Sequence, residues 1–386
     1  MSEKYMNLDP YSKEYEEILT SLGLKNDPFP TVPPSEVNYW ADNKTVLNQI
    51  KEKLLDSLLF ASSNIYIFWG RIGVGKTFAA NYLCGSQGIN LFAKELPDSL
   101  LKKQFSIKVR PSIPRKSGEL LTSIYKGIVT DLFNNILKDK ELYKILKTYY
   151  KNLPDSPIKK SFYEISKETR KKHLDGSEST FIENEGFKYI TDEKNKMGKL
   201  RDINDMGDVI YNLIAIHLEK YDRVSIIIDE LENLSRSAIA ERYQFNDLIK
   251  YMYEKIEIGL NIIFIYTFET YSEVETTLQP AVLSRIKDKI EFDLVKDESD
   301  LIEYIYDCIQ KRGEINPYTF IEKEVIQKFS KKLLDNFKQI SFREINREMH
   351  KFISICYRIR IEQREFDIKI LKISNDLYSI YDKIIQ

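Results

Sequence analysis

Gly70-Arg71-Ile72-Gly73-Val74-Gly75-Lys76-Thr77 is the stretch that decides how this chain is read. It fits G-x-x-x-x-G-K-[ST] without a mismatch. Just upstream, Ile65-Tyr66-Ile67-Phe68-Trp69 is a short apolar run rich in β-formers, which predicts a buried parallel strand. Just downstream, the pattern predicts a helix over 76–83. A glycine-rich turn between strand and helix aims several backbone N–H groups at one point, and the helix dipole adds positive potential there. That combination suits a phosphate chain. Lys76 would neutralise the β- and γ-phosphates, and Thr77 would offer its hydroxyl to Mg²⁺. Gly70, Gly73, Val74, Gly75 and Phe78 complete the set around the ligand. The expected cofactors are ATP and Mg²⁺. The bland alternative, a chance glycine-rich turn, does not explain the flanking strand and helix.

A second motif lies far downstream, Ile226-Ile227-Ile228-Asp229-Glu230. An acidic residue at the carboxyl end of a parallel strand faces the crevice where ligands bind. Asp229 would hold Mg²⁺ and Glu230 would polarise the attacking water, since in-line phosphoryl transfer needs a positioned nucleophile. The competing role for such acids is a helix cap. Ile262-Ile263-Phe264-Ile265-Tyr266-Thr267 predicts another buried strand, ending on a polar residue suited to orient that water. Leu278 to Ser284 leads to Arg285, which could reach a neighbouring subunit's γ-phosphate or make a surface salt bridge. Ser341-Phe342-Arg343 opens a late helix, from which Arg343, or Arg347 one turn on, could touch the nucleotide.

Taken in order, these motifs resemble those of AAA+ ATPases: Walker A at 70–77, Walker B at Asp229-Glu230, sensor 1 at Thr267, an arginine finger at Arg285 and sensor 2 at Arg343. The resemblance spans roughly residues 26–356. Asn26-Asp27-Pro28-Phe29 resembles the Pro-Phe box of transposition-helper and secretion-A-type ATPases, and Ile228 to Leu234 resembles their Walker B extension. The likeness is therefore to the initiator-like branch, with origin-recognition ATPases alongside. It implies a P-loop NTPase parallel sheet flanked by helices, followed by a small helical lid. It also implies a homo-oligomer with ATP at subunit interfaces. Two departures stand out. Lys76 and Asp229 lie about twice as far apart as a compact domain of this kind needs, so a polar segment around 151–202 reads as an insertion and a candidate partner surface. The stretch after Arg343 is too short for the winged helix of origin-recognition proteins.

The domains expected are an N-terminal proline-containing arm at 1–43, an α/β body at 44–297 and a helical part at 298–386. Lys+Arg 58 against Asp+Glu 59 gives a net charge of -1, which excludes a globally cationic nucleic-acid coat protein. Charge is nevertheless concentrated locally. Lys102, Lys103, Lys108, Arg110, Arg115 and Lys116 fall in a stretch without an acidic residue, so DNA backbone contact is one reading and a solvated basic face the other. Three scattered cysteines and a polar start without an apolar core suit a cytoplasmic protein, and no run is long enough for a membrane span. Two functions follow as expectations: an oligomeric ATPase switch on DNA or a nucleoprotein complex, and a nucleotide-regulated protein-binding signalling or anti-phage defence module with slow turnover.

Overall fold

The computed structural model describes residues 19–20, 23–35, 37, 39–41, 44–59, 62–85, 103–114, 116, 118–172, 185–192, 194, 201–362 and 372–385. Lys102, Arg115 and parts of the arm and of the 151–202 segment lie outside them. The chain forms two compact units. One holds Gln49–Gly70 and Leu83–Glu291, the other Met1–Asn48, Arg71–Tyr82 and Phe292–Gln386.

The first unit is built on five strands, β1 (Asn64–Gly70), β2 (Gln104–Val109), β3 (Arg223–Ile228), β4 (Leu260–Thr267) and β5 (Ile286–Glu291). Their order is β2-β3-β4-β1-β5, and every pairing is parallel. Parallel neighbours need long crossovers, and helices supply them. α1 (Lys44–Leu59) leads into β1, and α2 (Lys76–Cys84) follows it. α3 (Glu119–Lys138), α4 (Lys140–Tyr149), α5 (Pro157–Lys172), α6 (Glu185–Thr191) and α7 (Ile203–Leu218) separate β2 from β3. α8 (Ile239–Lys255) joins β3 to β4. The central strands are solvent-free on both faces, as their β-branched runs require. Val224, Ile226, Ile227 and Ile228 are all at 0% exposure, and each such side chain is worth about 1.5–3 kcal/mol of burial.

Two expectations about elements change here. The 151–202 segment is polar in sequence, yet Phe162 and Ile165 of α5 and Ile190 of α6 are fully buried in the same core as α3 and α7. The apolar spacing of Ile290-Glu291-Phe292 predicts the last strand there, and it starts earlier, at Ile286, directly after Arg285. Its alternating Lys287, Asp288 and Lys289 mask it, and it tolerates them because it is an edge strand paired on one side only.

The second unit has a core shared by the arm and the late helices α9 (Glu298–Asp307), α10 (Lys323–Phe337), α11 (Phe342–Glu362) and α12 (Asn375–Ile385). Phe29 is fully buried in it. The amide of Phe29 donates to Asp27 Oδ1 at 2.9 Å, which turns the chain at Pro28-Phe29. Asn346 Nδ2 donates to the Pro30 carbonyl at 2.7 Å. Between α9 and α10, a π-helical turn at Cys308–Arg312 offers two successive cations to the arm. Lys311 Nζ donates to the Trp40 carbonyl at 2.7 Å, and Arg312 donates to the Asp27 carbonyl and, at 3.1 Å, to the Tyr39 hydroxyl. The extra residue of a π-turn re-aims side chains in this way.

Candidate functional site

In the arm and lid unit, the loop after β1 curls around Lys76. Gly73 and Gly75 have φ of +83° and +96°, a region open to glycine and costly to other residues. Lys76 is only 5% exposed, and its Nζ donates to the Arg71 carbonyl at 2.6 Å. A nearly buried ammonium inside a glycine loop is a fixed positive charge suited to a phosphate. Val74 is buried beneath it, Thr77 is half-buried, and Phe78 meets the rings of Tyr39 and Trp40 edge-on at 5.7 and 5.8 Å. The sequence alone does not couple Tyr39 and Trp40 to Phe78, which lies nearly forty positions away.

The start of α11 closes on the same loop. A Cβ on Gly73 would come within 2.9 Å of Ser341 Oγ and 3.0 Å of Arg343 Cβ. The Arg343 amide donates to the Gly73 carbonyl at 3.3 Å. Ser341 and Glu344 form a reciprocal cap, with Ser341 Oγ donating to Glu344 Oε2 at 2.8 Å and accepting from the Glu344 amide at 3.3 Å. Arg343 is thus brought to the loop by its backbone, and its side chain and that of Arg347 are exposed one turn apart.

In the sheet unit, the carboxyl ends of four strands share one edge. Gly70 is in register with Thr267, Ile228 with Phe264, and Val109 with Ile228. Asp229 follows β3 directly, is 2% exposed, and its amide donates to the Val109 carbonyl at 2.9 Å. Its Oδ1 accepts from the Glu230 amide at 3.0 Å. Glu230 sits at φ 57°, ψ 36°, left-handed geometry that is uncommon for a glutamate and costs of order 1–3 kcal/mol. The carboxylate of Glu230 is ion-paired with Arg110, the residue just past β2. The Thr267 amide donates to Glu232 Oε2 at 3.1 Å. Arg285 is held within the chain, by the Ala281 carbonyl and by Glu254 at 2.6 Å.

Among the described residues, the basic stretch is divided by β2. Lys103 precedes β2, whereas Arg110 and Lys116 follow it, so the strand's length separates them. Lys108, in the strand itself, is half-buried. It lies close enough to Cys84 to oppose the burial that pushes that thiol up to about 12.

Thr77 and Asp229 are hard oxygen donors of the kind Mg²⁺ takes, and this ion needs only one or two carboxylates when phosphates and water complete its shell. Among the described residues no group of three His, Cys, Asp or Glu side chains could hold a metal. Among them, too, no helix is long and apolar enough to cross a membrane.

No family model and no curated protein sequence matches the chain. Solved structures do. The ORC1 protein of Aeropyrum pernix in complex with DNA is 14% identical with a TM-score of 0.47, over 93% of this chain and 69% of that one. The ORC2 protein of the same organism, in ADPNP–ADP complexes, is 14% identical with a TM-score of 0.47, over 94% and 73%. The Walker-type ATPase of Pyrococcus abyssi is 12% identical with a TM-score of 0.43, over 93% and 77%. At such identities and TM-scores no residue role passes from these proteins to this chain. It is similar to them along nearly its whole described length.

Proposed function

We propose that the chain is an AAA+ type ATPase that binds ATP through Gly70, Gly73, Val74, Gly75, Lys76, Thr77 and Phe78 and acts on DNA or a nucleoprotein complex as an oligomer. The observation that carries the reading is the shared strand edge within the sheet: β1 ends at Gly70, in register with Thr267 at the end of β4, and β3, paired with β4, ends just before Asp229 and Glu230. This is the crevice at which open parallel sheets bind ligands. Lys76 places its charge on the β- and γ-phosphates. Thr77 and Asp229 would hold Mg²⁺, whose charge would offset that developing in transfer. Glu230 takes the proton of the attacking water as its oxygen bonds to the γ-phosphorus. The bond from that phosphorus to the bridging oxygen breaks, and ADP leaves with the electron pair. Thr267 orients the water, Arg343 contacts the nucleotide from α11, and Arg285 serves a neighbouring subunit.

Replacing Lys76 by Ala should abolish ATP binding in calorimetry. Mixing Glu230→Gln with Arg285→Ala chains should restore turnover that neither has alone. Turnover that ignores mixing rules out the shared site. A second reading, a nucleotide-regulated protein-binding module with slow turnover, draws support from the two ion pairs that hold Glu230 and Arg285 within the chain. ATPase rates that no DNA alters, together with retention of a protein partner, would favour it.

A further inference from the structure

We infer that α4 carries a second, sequence-independent contact for a nucleic-acid backbone, separate from the strand edge. The inference deepens the DNA part of the reading above and is independent of its hydrolysis chemistry. Lys140, Lys144 and Lys147 recur at helical spacing on one face of α4, and Lys151 follows in the 3-10 turn Tyr150–Asn152. In sequence this stripe is disguised by Asp139 and Glu141, which make the stretch read as mixed charge. The structure removes both acids from it. Lys220, at the end of α7, pairs with Asp139 at 2.5 Å and with Glu141 at 3.0 Å, and Asp139 also caps α4 through the amides of Glu141 and Leu142. Hydrogen bonding to Lys220 and these amides holds the Asp139 carboxyl below its usual range against the opposing effect of burial. The lysines remain. Lys140, Lys144 and Lys151 are exposed, and among the described residues none of the three is ion-paired, while Lys147 lies over the Tyr143 ring at 4.4 Å.

The occupant follows from spacing and chemistry. At about 1.5 Å of rise per residue, the stripe covers about 16 Å, against about 3.4 Å per phosphate along one strand of a duplex. Lysines on flexible stems meet phosphates as point charges and carry no base readout. Of the apolar residues of α4, Leu142 and Leu146 are fully buried, and Tyr143, Ile145 and Tyr149 are partly buried against the same core. The helix therefore offers neither a lipid layer nor an apolar peptide anything to bury against.

The test uses the full chain and a labelled duplex of mixed sequence, titrated by anisotropy across a potassium chloride series. A Lys140→Gln/Lys144→Gln/Lys151→Gln variant should bind at least tenfold more weakly. Its slope of log affinity against log salt should be shallower by roughly 2 to 3, at about 0.9 per lost phosphate contact, and its ATP affinity should be unchanged. The matching Lys→Arg variant should bind like the parent. Parental affinity and slope in the Gln variant, absence of duplex binding by the parent, or tighter binding of polyglutamate than of the duplex would each overturn the inference. ATP binding lost in Lys76→Ala with the salt slope intact leaves the stripe standing. A failed stripe with ATP turnover intact leaves the ATPase reading standing.

Discussion

Glu230, to which the proposed reaction assigns the proton of the attacking water, is restrained by the chain itself. Its backbone is left-handed, and its carboxylate is turned to Arg110. The pair is largely exposed on the arginine side, at 64%, so it is worth only about 0.2–1 kcal/mol. Arg110→Ala should therefore raise basal kcat by about 1.4- to fivefold and diminish any stimulation by DNA, since the same arginine belongs to the basic stretch. Steady-state ATPase assays with and without duplex decide this, and an unchanged or lower basal kcat counts against the restraint. Nothing in the sequence discloses the pairing. The two side chains are 120 positions apart, and only the alignment of β2 beside β3 makes them neighbours. The glycine loop, Lys76 and Asp229 were by contrast legible, because a strict spacing with strand and helix on either side leaves little else for those residues to be.

At the scale of elements, α7 is pinned to α3 and β2 through His217. This ring is fully buried, donates from Nδ1 to the Leu213 carbonyl (2.8 Å), holds Nε2 3.2 Å from the Asn135 side-chain amide, and stacks on Phe105 with ring centroids 4.8 Å apart. Burial lowers its pKa from 6.5 to about 4. The unfolded chain thus binds the extra proton first. His217 contributes its full stability above about pH 6.5 and loses it as pH falls toward 4, a change of roughly 3 kcal/mol. Melting curves across this window should show the folded state weakening, and His217→Phe should flatten that dependence. A variant as acid-sensitive as the parent would remove His217 from the account. Continuous apolar runs made the central strands readable. α5 was not, because its buried Phe162 and Ile165 are isolated among lysines and glutamates, and three-residue spacing on so polar a background carries little periodicity.

Over the whole molecule, the division into two units does not follow the order of the chain. The arm shares a core with helices almost three hundred residues later, through Phe29, Asn346 and Arg312. Composition could suggest a proline-rich arm, but no local rule indicates where Phe29 goes. Phe29→Ala should cost about 3–5 kcal/mol and lower the melting of the arm and lid unit selectively. Calorimetry should then separate a first transition from that of the sheet unit. A single transition displaced as a whole would show that the two units melt together.

The packing of Trp40 on Phe78 has a consequence for observation. The chain has only two tryptophans, and the other, Trp69, lies in β1 against Tyr271. With Trp69 replaced by Phe, all indole emission would come from a ring 6% exposed and in contact with the residue directly after Thr77. The protein therefore carries its own optical probe of the glycine loop, and adding nucleotide to the unlabelled chain should change the colour or intensity of its ultraviolet fluorescence.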